Sequence, residues 1–265
     1  MKNKNLLIVI IVVIVLALGV GAFLLLSPTK KELAPEGGEV QKTRLEITDV
    51  PLEERPFLTL SPINEGREIE MTVVNFGQAE NVEYELTYLS EGFSRGAIGT
   101  IKLPDKPLIE KTLLLGSCSS GTCKYDKDVE GGQLTLRIKD EEGTKKLISD
   151  WQLYSDLETL ASSDGIFEIT ASGFAKGTFI VASTLGLPEV IETGEVVAGP
   201  YGVFGNLTGI KTAEISFDAA GSTILAWDGE SWQELETDSQ STSTTAETNV
   251  LGVYVVVNDT AAPAQ

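Results

Sequence analysis

EIEMTVVNFGQAENVEYELTY, residues 68–88, consists of two alternating runs with a break between them. In the first run Ile69, Met71 and Val73 fall on one side, with Glu68, Glu70 and Thr72 on the other. In the second, Val82, Tyr84, Leu86 and Tyr88 share a side against Glu83, Glu85 and Thr87. Two is the period of a strand, whose successive side chains point to opposite faces. One apolar and one polar face predict a half-buried antiparallel sheet. The break, Asn75-Phe76-Gly77-Gln78, holds two residue types that tolerate positive φ and reads as a hairpin turn.

The pattern spreads outward from there. Gln133–Lys139 puts Leu134, Leu136 and Ile138 on one face, and Asp140-Glu141-Glu142-Gly143 turns it into Thr144–Leu153. Further along, Ile166–Ala171, Gly177–Ser183, Val190–Val197, Thr212–Phe217, Thr223–Trp227 and Asn249–Val257 read as strands. Turns are expected at Asp164-Gly165, Ser172-Gly173, Gly199-Pro200, Gly205-Asn206 and Asp228-Gly229. Thr237–Thr248 (TDSQSTSTTAET) reads as a Ser/Thr-rich loop. Closely spaced short strands predict an all-β fold of two antiparallel, immunoglobulin-like β-sandwiches, over residues 42–154 and 160–258.

A different composition precedes them. Leu6–Leu26, LLIVIIVVIVLALGVGAFLLL, is 21 residues without a charge. As a helix it would span about 30 Å, the thickness of a bilayer's hydrocarbon core. Lys2, Lys4 and the α-amino group lie before it, so residues 1–5 are expected in the cytoplasm and the body outside. Gly19, Gly21 and Ala22 offer a signal-peptide cleavage site, but Phe23–Leu26 continue the apolar run past them. The expectation is an uncleaved single-pass anchor. Residues 27–41, with Pro28, Pro35 and Gly37-Gly38, read as a linker, and 259–265 as a disordered tail.

Composition narrows the chemistry. The 265 residues hold 39 acidic and 20 basic side chains, a net charge of −19. Such a field repels phosphate backbones, so nucleic acid is not expected as a partner. From Trp151 onward there are 16 acidic side chains against two lysines, Lys176 and Lys211. The chain has no histidine. That excludes Ser-His-Asp and Cys-His catalysis and histidine-ligated zinc.

The strand–turn–strand of Glu68–Tyr88, with Asn75 and Gly77 in its turn, resembles the cell-adhesion-related (CARDB-like) β-sandwich domains of prokaryotic surface proteins. Ile224–Leu235 and Gly252–Val257 resemble the closing hairpin and last strand of C-terminal sandwich modules in large surface proteins. These resemblances imply structural or adhesive modules, with no catalytic residues to carry over.

Several local features are candidate sites. Cys118-Ser119-Ser120-Gly121-Thr122-Cys123 is a tight loop whose cysteines should be oxidised in a body outside the cell. Asp126-Lys127-Asp128-Val129-Glu130-Gly131 resembles half of a calcium loop, with Asp126, Asp128 and Glu130 as oxygen ligands. Glu130 departs from the usual Asp or Asn, and Arg137 stands where a bidentate glutamate belongs, so a solvated acidic turn is the competing reading. Asn206-Leu207-Thr208 and Asn258-Asp259-Thr260 are glycosylation sequons. Trp227, Trp232 and Tyr254 read either as an aromatic platform or as core and cross-strand pairs. Glu189, Glu192 and Glu195 read as a solvated strand face.

The expectation for function is a membrane-anchored extracellular surface protein acting in adhesion or envelope structure, without catalysis. Its partners would be the membrane, through Leu6–Leu26, and a protein or glycan at the cell surface. No cofactor is expected beyond the calcium considered above. The alternatives are an accessory subunit of a membrane or secretion complex, and a carboxylate-dependent, glycan-active enzyme.

Overall fold

A computed structural model describes residues 46–103, 108–207 and 210–258, and its regular secondary structure is almost wholly strand. In chain order these are β1 (Glu46–Ile47), β2 (Phe57–Ile63), β3 (Glu68–Val74), β4 (Asn81–Ser90), β5 (Phe93–Lys102), β6 (Leu108–Leu114), β7 (Gly116–Ser119), β8 (Thr122–Tyr125), β9 (Gly131–Lys139) and β10 (Thr144–Ser155). The second half supplies β11 (Thr159–Ala161), β12 (Phe167–Thr170), β13 (Thr178–Ser183), β14 (Glu195–Gly205), β15 (Ala213–Phe217), β16 (Thr223–Trp227), β17 (Trp232–Glu234), β18 (Thr237–Ser239), β19 (Thr244–Thr248) and β20 (Val253–Asn258).

One long sheet runs through both halves in the order β17-β16-β20-β14-β13-β10-β9-β4-β5, with β1 beside β10. Two smaller sheets, β2-β3-β6 and β11-β12-β15-β19-β18, complete the sandwich layers, and β7-β8 is a separate ribbon. The first core packs Leu58, Met71 and Ile109 of the three-stranded sheet against Leu86, Leu136 and Trp151 of the long one. The second packs Phe167, Ile215 and Ala246 of the five-stranded sheet against Val181, Tyr201, Ile224 and Tyr254.

Strand β13 explains how two cores share one sheet. Ile180 and Ala182 point into the first core, Phe179 and Val181 into the second. A strand buried on both faces loses alternation and reads as an unbroken apolar run, as TFIVAS does. The boundary expected between residues 154 and 160 falls in the connection from β10 to β11. The antiparallel pairing of Trp151–Ser155 with Thr178–Ala182 carries the sheet across it.

Three local readings need correction. Strands β3 and β4 are not a hairpin: β3 pairs with β2 and β6, and β4 with β5 and β9. Residues 75–80 instead cross from one sheet to the facing one, with Asn75 at φ 60° and Gly77 at φ 65°. Both apolar faces are satisfied because they meet across the core from opposite walls. Next, Gly199-Pro200 is not a turn; β14 starts at Glu195, not Val190, and runs through that pair, with register shifts against β20 on the way. Finally, the Ser/Thr-rich stretch contains β18 and β19. Thr244, Ala246 and Thr248 are buried in alternation, because threonine's branched side chain fits a pleated surface even where its hydroxyl makes the sequence look like a loop.

The predicted span Leu6–Leu26, the linker 27–41 and the tail 259–265 lie outside the described residues. Among the described residues no helix is long and apolar enough to cross a membrane.

Candidate functional site: a cleft where the two halves meet

The segment after β13 is stitched to the segment before β2. The Leu58 N–H donates to the Thr184 carbonyl at 2.9 Å, and the Gly186 N–H to the Pro56 carbonyl at 2.9 Å. Thr184 is buried and its hydroxyl donates to the Gly186 carbonyl at 2.9 Å, so the tight turn carries no unpaired hydroxyl. The backbones approach so closely that a Cβ on Gly186 would lie 2.2 Å from the Arg55 carbonyl oxygen. Leu185, at φ 66°, drops its side chain into the first core.

Beyond this stitch the chain opens into a cleft of about 660 Å³. Leu52, Leu187, Pro188, Val190, Ile191 and Val196 give it apolar walls; Glu53, Arg55, Glu189 and Glu195 carry its charges. That volume falls within the range of ordinary ligand pockets. One wall is braced by the Arg55 Nε–H, which donates to the Val50 carbonyl at 2.7 Å. The other is braced by the Trp232 indole, which donates to the Glu189 carbonyl at 3.0 Å. Val190 remains 72% exposed, a large apolar side chain held out beside an apolar wall. The cleft thus offers an apolar surface with three carboxylates and one guanidinium, a setting suited to an apolar ligand that also carries positive charge.

The cysteines pair as expected. Cys118 and Cys123 face each other across β7 and β8 and form a disulfide. The acidic turn behind them is used structurally. Asp126 accepts from the Tyr88 hydroxyl at 2.8 Å, the Lys127 carbonyl from the Ser90 hydroxyl at 2.8 Å, and the Glu130 carbonyl from the Leu153 N–H at 2.7 Å. Burial and the hydrogen bond to Asp126 push the Tyr88 phenol above its ordinary range. Asp128 and Glu130 are exposed, and among the described residues no three carboxylates or cysteines gather as a metal site, so Asp126, Asp128 and Glu130 are not brought together.

The other sequence candidates separate. Trp227 and Trp232 are directly opposed across β16 and β17, with ring centroids 5.6 Å apart, edge to face. Tyr254 is fully buried in the second core, so the three do not form one platform. Asn206 and Asn258 are both exposed, and Asn206 Oδ1 accepts from the Thr178 N–H at 3.2 Å. Of the three glutamates on 189–195, Glu189 and Glu195 line the cleft. Leu52, Arg55 and Leu187 were missed as site residues; the one sequence signal was the Leu-Gly-Leu-Pro run at 185–188, which breaks the strand pattern.

A second polar cluster pins the far core. Asp164 accepts from the Tyr201 hydroxyl at 2.6 Å, from the Ser162 hydroxyl, and from the Ile166 N–H at 3.1 Å. Burial raises the Asp164 carboxyl, but these hydrogen bonds together outweigh it and leave the group below its ordinary value. Burial and that same carboxylate push the Tyr201 phenol up. A scan of protein-family models and a search of curated proteins return no match to this chain.

Proposed function

We propose that this chain is a non-catalytic, membrane-anchored cell-surface protein of the cell-adhesion-related sandwich type. In this reading it acts in adhesion or envelope structure and engages a protein or glycan partner through the junction cleft. The observation that carries it is the cross-strand disulfide on the exposed β7–β8 ribbon, since disulfides persist mainly in oxidising compartments. The uncharged Leu6–Leu26 run supplies the tether, and the lack of histidine removes the commonest general base. The cleft supplies a contact surface whose acidic rim favours a cationic, apolar partner.

The test has two parts. Protease added to intact cells should remove the body; protection of the body would reject the outside location. In cells displaying the full chain, Val190→Asp should weaken attachment to the native surface without loss of surface protein. Unchanged attachment would remove the cleft from the function.

A further inference from the structure

Every sheet has two edges, and unpaired edge groups are a template for another strand unless something blunts them. In this molecule most edges are blunted. β17, β18 and β11 are three residues long each. β2 carries Pro62, and β6 carries Glu110 and Lys111. β5 is neither short nor interrupted by proline, and its two charges, Arg95 and Lys102, are of one sign, so they repel a like edge and leave an acidic one free to pair. It is ten residues long, pairs only with β4, and keeps unbroken register with it from Phe93 to Lys102. It contains no proline. Alternate residues of β5 turn their N–H and C=O groups away from β4 along its full length.

Ile101 leans on the first core, but large apolar side chains of this edge are also uncovered. Phe93 is 67% exposed and Ile98 is 79% exposed. Phe93 and Arg95 share one face; Ile98 and Lys102 share the other. Each face of the edge therefore presents one large, mostly exposed apolar group and one cation. On the Lys102 face, Glu83 and Glu85 of β4 pair with Lys139 and Arg137 of β9; on the Arg95 face, Asp126 accepts from the hydroxyl of Tyr88, the residue opposite Arg95. Neither Arg95 nor Lys102 forms an ion pair with a described residue. In a chain of net charge −19 this edge is a local basic strip.

We infer that β5 is a docking edge for an extended, acidic strand of a partner protein, which adds to the long sheet by main-chain pairing. Backbone hydrogen bonds would give affinity, and side chains on the two faces would give selection. The complementary strand carries a carboxylate opposite Arg95 on one face and another opposite Lys102 on the other, with apolar residues beside Phe93 and Ile98. A second copy of this chain fits less well: β5 has no acidic residue, so edge-to-edge pairing of two copies leaves all four cations without a counter-charge. This edge is separate from the junction cleft, and the inference does not depend on the cleft.

The experiment uses the full chain in detergent micelles and two ten-residue peptides of alternating Val and Thr. One peptide has a Glu near each end on opposite faces; the other has Lys at those positions. Hydrogen exchange should show the Glu peptide protecting β5 amides, with the Lys peptide binding at least about tenfold more weakly. Arg95→Glu/Lys102→Glu, an exposed double change, should invert that preference. Equal binding of the two peptides would overturn the proposal, as would absence of β5 protection. Concentration-dependent dimerisation that protects β5 without any peptide would overturn it in favour of a second copy.

Discussion

The two halves share a sheet but are held together by different chemistry. In the first half, charges of both signs interleave on the strands. Arg137 pairs with Glu85 at 3.1 Å, Lys146 with Glu46 at 3.6 Å, and Lys139 with Glu83. Its core is mainly aliphatic, with Trp151 and Tyr88 as its buried aromatic side chains. The second half has two lysines against 16 carboxylates, and the ion pairs among the described residues all lie before it. It relies on rings and phenol hydroxyls. Phe167 stacks on Tyr201 at 5.5 Å and on Tyr254 at 5.5 Å, and meets Phe217 edge-on at 5.1 Å. Tyr154 donates to the Ala161 carbonyl at 2.9 Å, Tyr201 to Asp164, and Tyr254 to the Val250 carbonyl. Where one sign of charge dominates, opposite-charge pairing is scarce, and buried aromatic groups with a polar tip take over the task of closing the sandwich.

The largest expected effect tests this contrast directly. Phe167→Ala removes the ring on which three others lean and should cost about 4 kcal/mol in a denaturant melt. Leu86→Ala, equally buried in the first core, should cost about 3 kcal/mol, because the side chain removed is smaller. An equal or larger loss for Leu86 would break the comparison. Because β13 serves both cores, either variant should still melt in one transition. In a Trp227→Phe/Trp232→Phe background, Trp151 fluorescence reports the first core and should then coincide with far-UV circular dichroism.

The stitch between the halves gives the next largest effect. In Gly186→Ala the new Cβ lies 2.2 Å from the Arg55 carbonyl, so one backbone must shift. The expected cost is about 2 kcal/mol. A melt unchanged from the parent would show that the junction yields freely and that the halves are joined by β10–β13 pairing alone.

Much of this was legible in the sequence and some was not, for physical reasons. Strands with one wet face, such as Glu68–Val74 and Gly131–Lys139, carry a clear period of two. So does Thr223–Trp227, followed by a hairpin in which Gly229 takes φ 105°. Pairing partners were not legible, because alternation says which face is buried and not which wall it faces; hence β3 and β4 look like a hairpin and are not. β5 was missed because its FSRGAIGTIK has no apolar alternation: its outer face is exposed, and its inner face is only half covered from Ala97 to Ile101. The cleft was illegible for a different reason. Its residues come from segments near 52, 75 and 190: β2–β3 pairing sets the first two side by side, and the β13–β2 stitch brings up the third.

A smaller effect belongs to the disulfide, a covalent tie found only in the first half. Its loop has a sequence separation of five, so Cys118→Ser/Cys123→Ser should lose no more than about 2 kcal/mol of chain-entropy stabilisation. The β7–β8 ribbon forms its own sheet, so the loss should show as faster hydrogen exchange there and little change in the midpoint of the global melt. A global loss as large as that of Phe167→Ala would mean that the ribbon organises the first core.

The smallest effect separates the second half's phenol ties from its packing. Tyr201→Phe keeps the ring against Phe167 but removes the hydroxyl that donates to Asp164 at 2.6 Å. At neutral pH this should cost about 1 kcal/mol, the net worth of such a hydrogen bond. The pH dependence distinguishes a tie to a carboxylate from a tie to a neutral group. Asp164 lies below its ordinary value of 3.8 in the fold, so its contribution is present above that value and is lost as pH falls through the folded one. The Tyr201 phenol lies above its ordinary 10.0, so its contribution is present below pH 10 and is lost as pH rises further. Urea melts of parent and Tyr201→Phe should therefore run apart at neutral pH and draw together as pH falls through the lowered Asp164 value. Curves that stay parallel through the whole acid unfolding limb would mean that the hydroxyl acts through packing alone, and that the second half is closed by its rings without help from their polar tips.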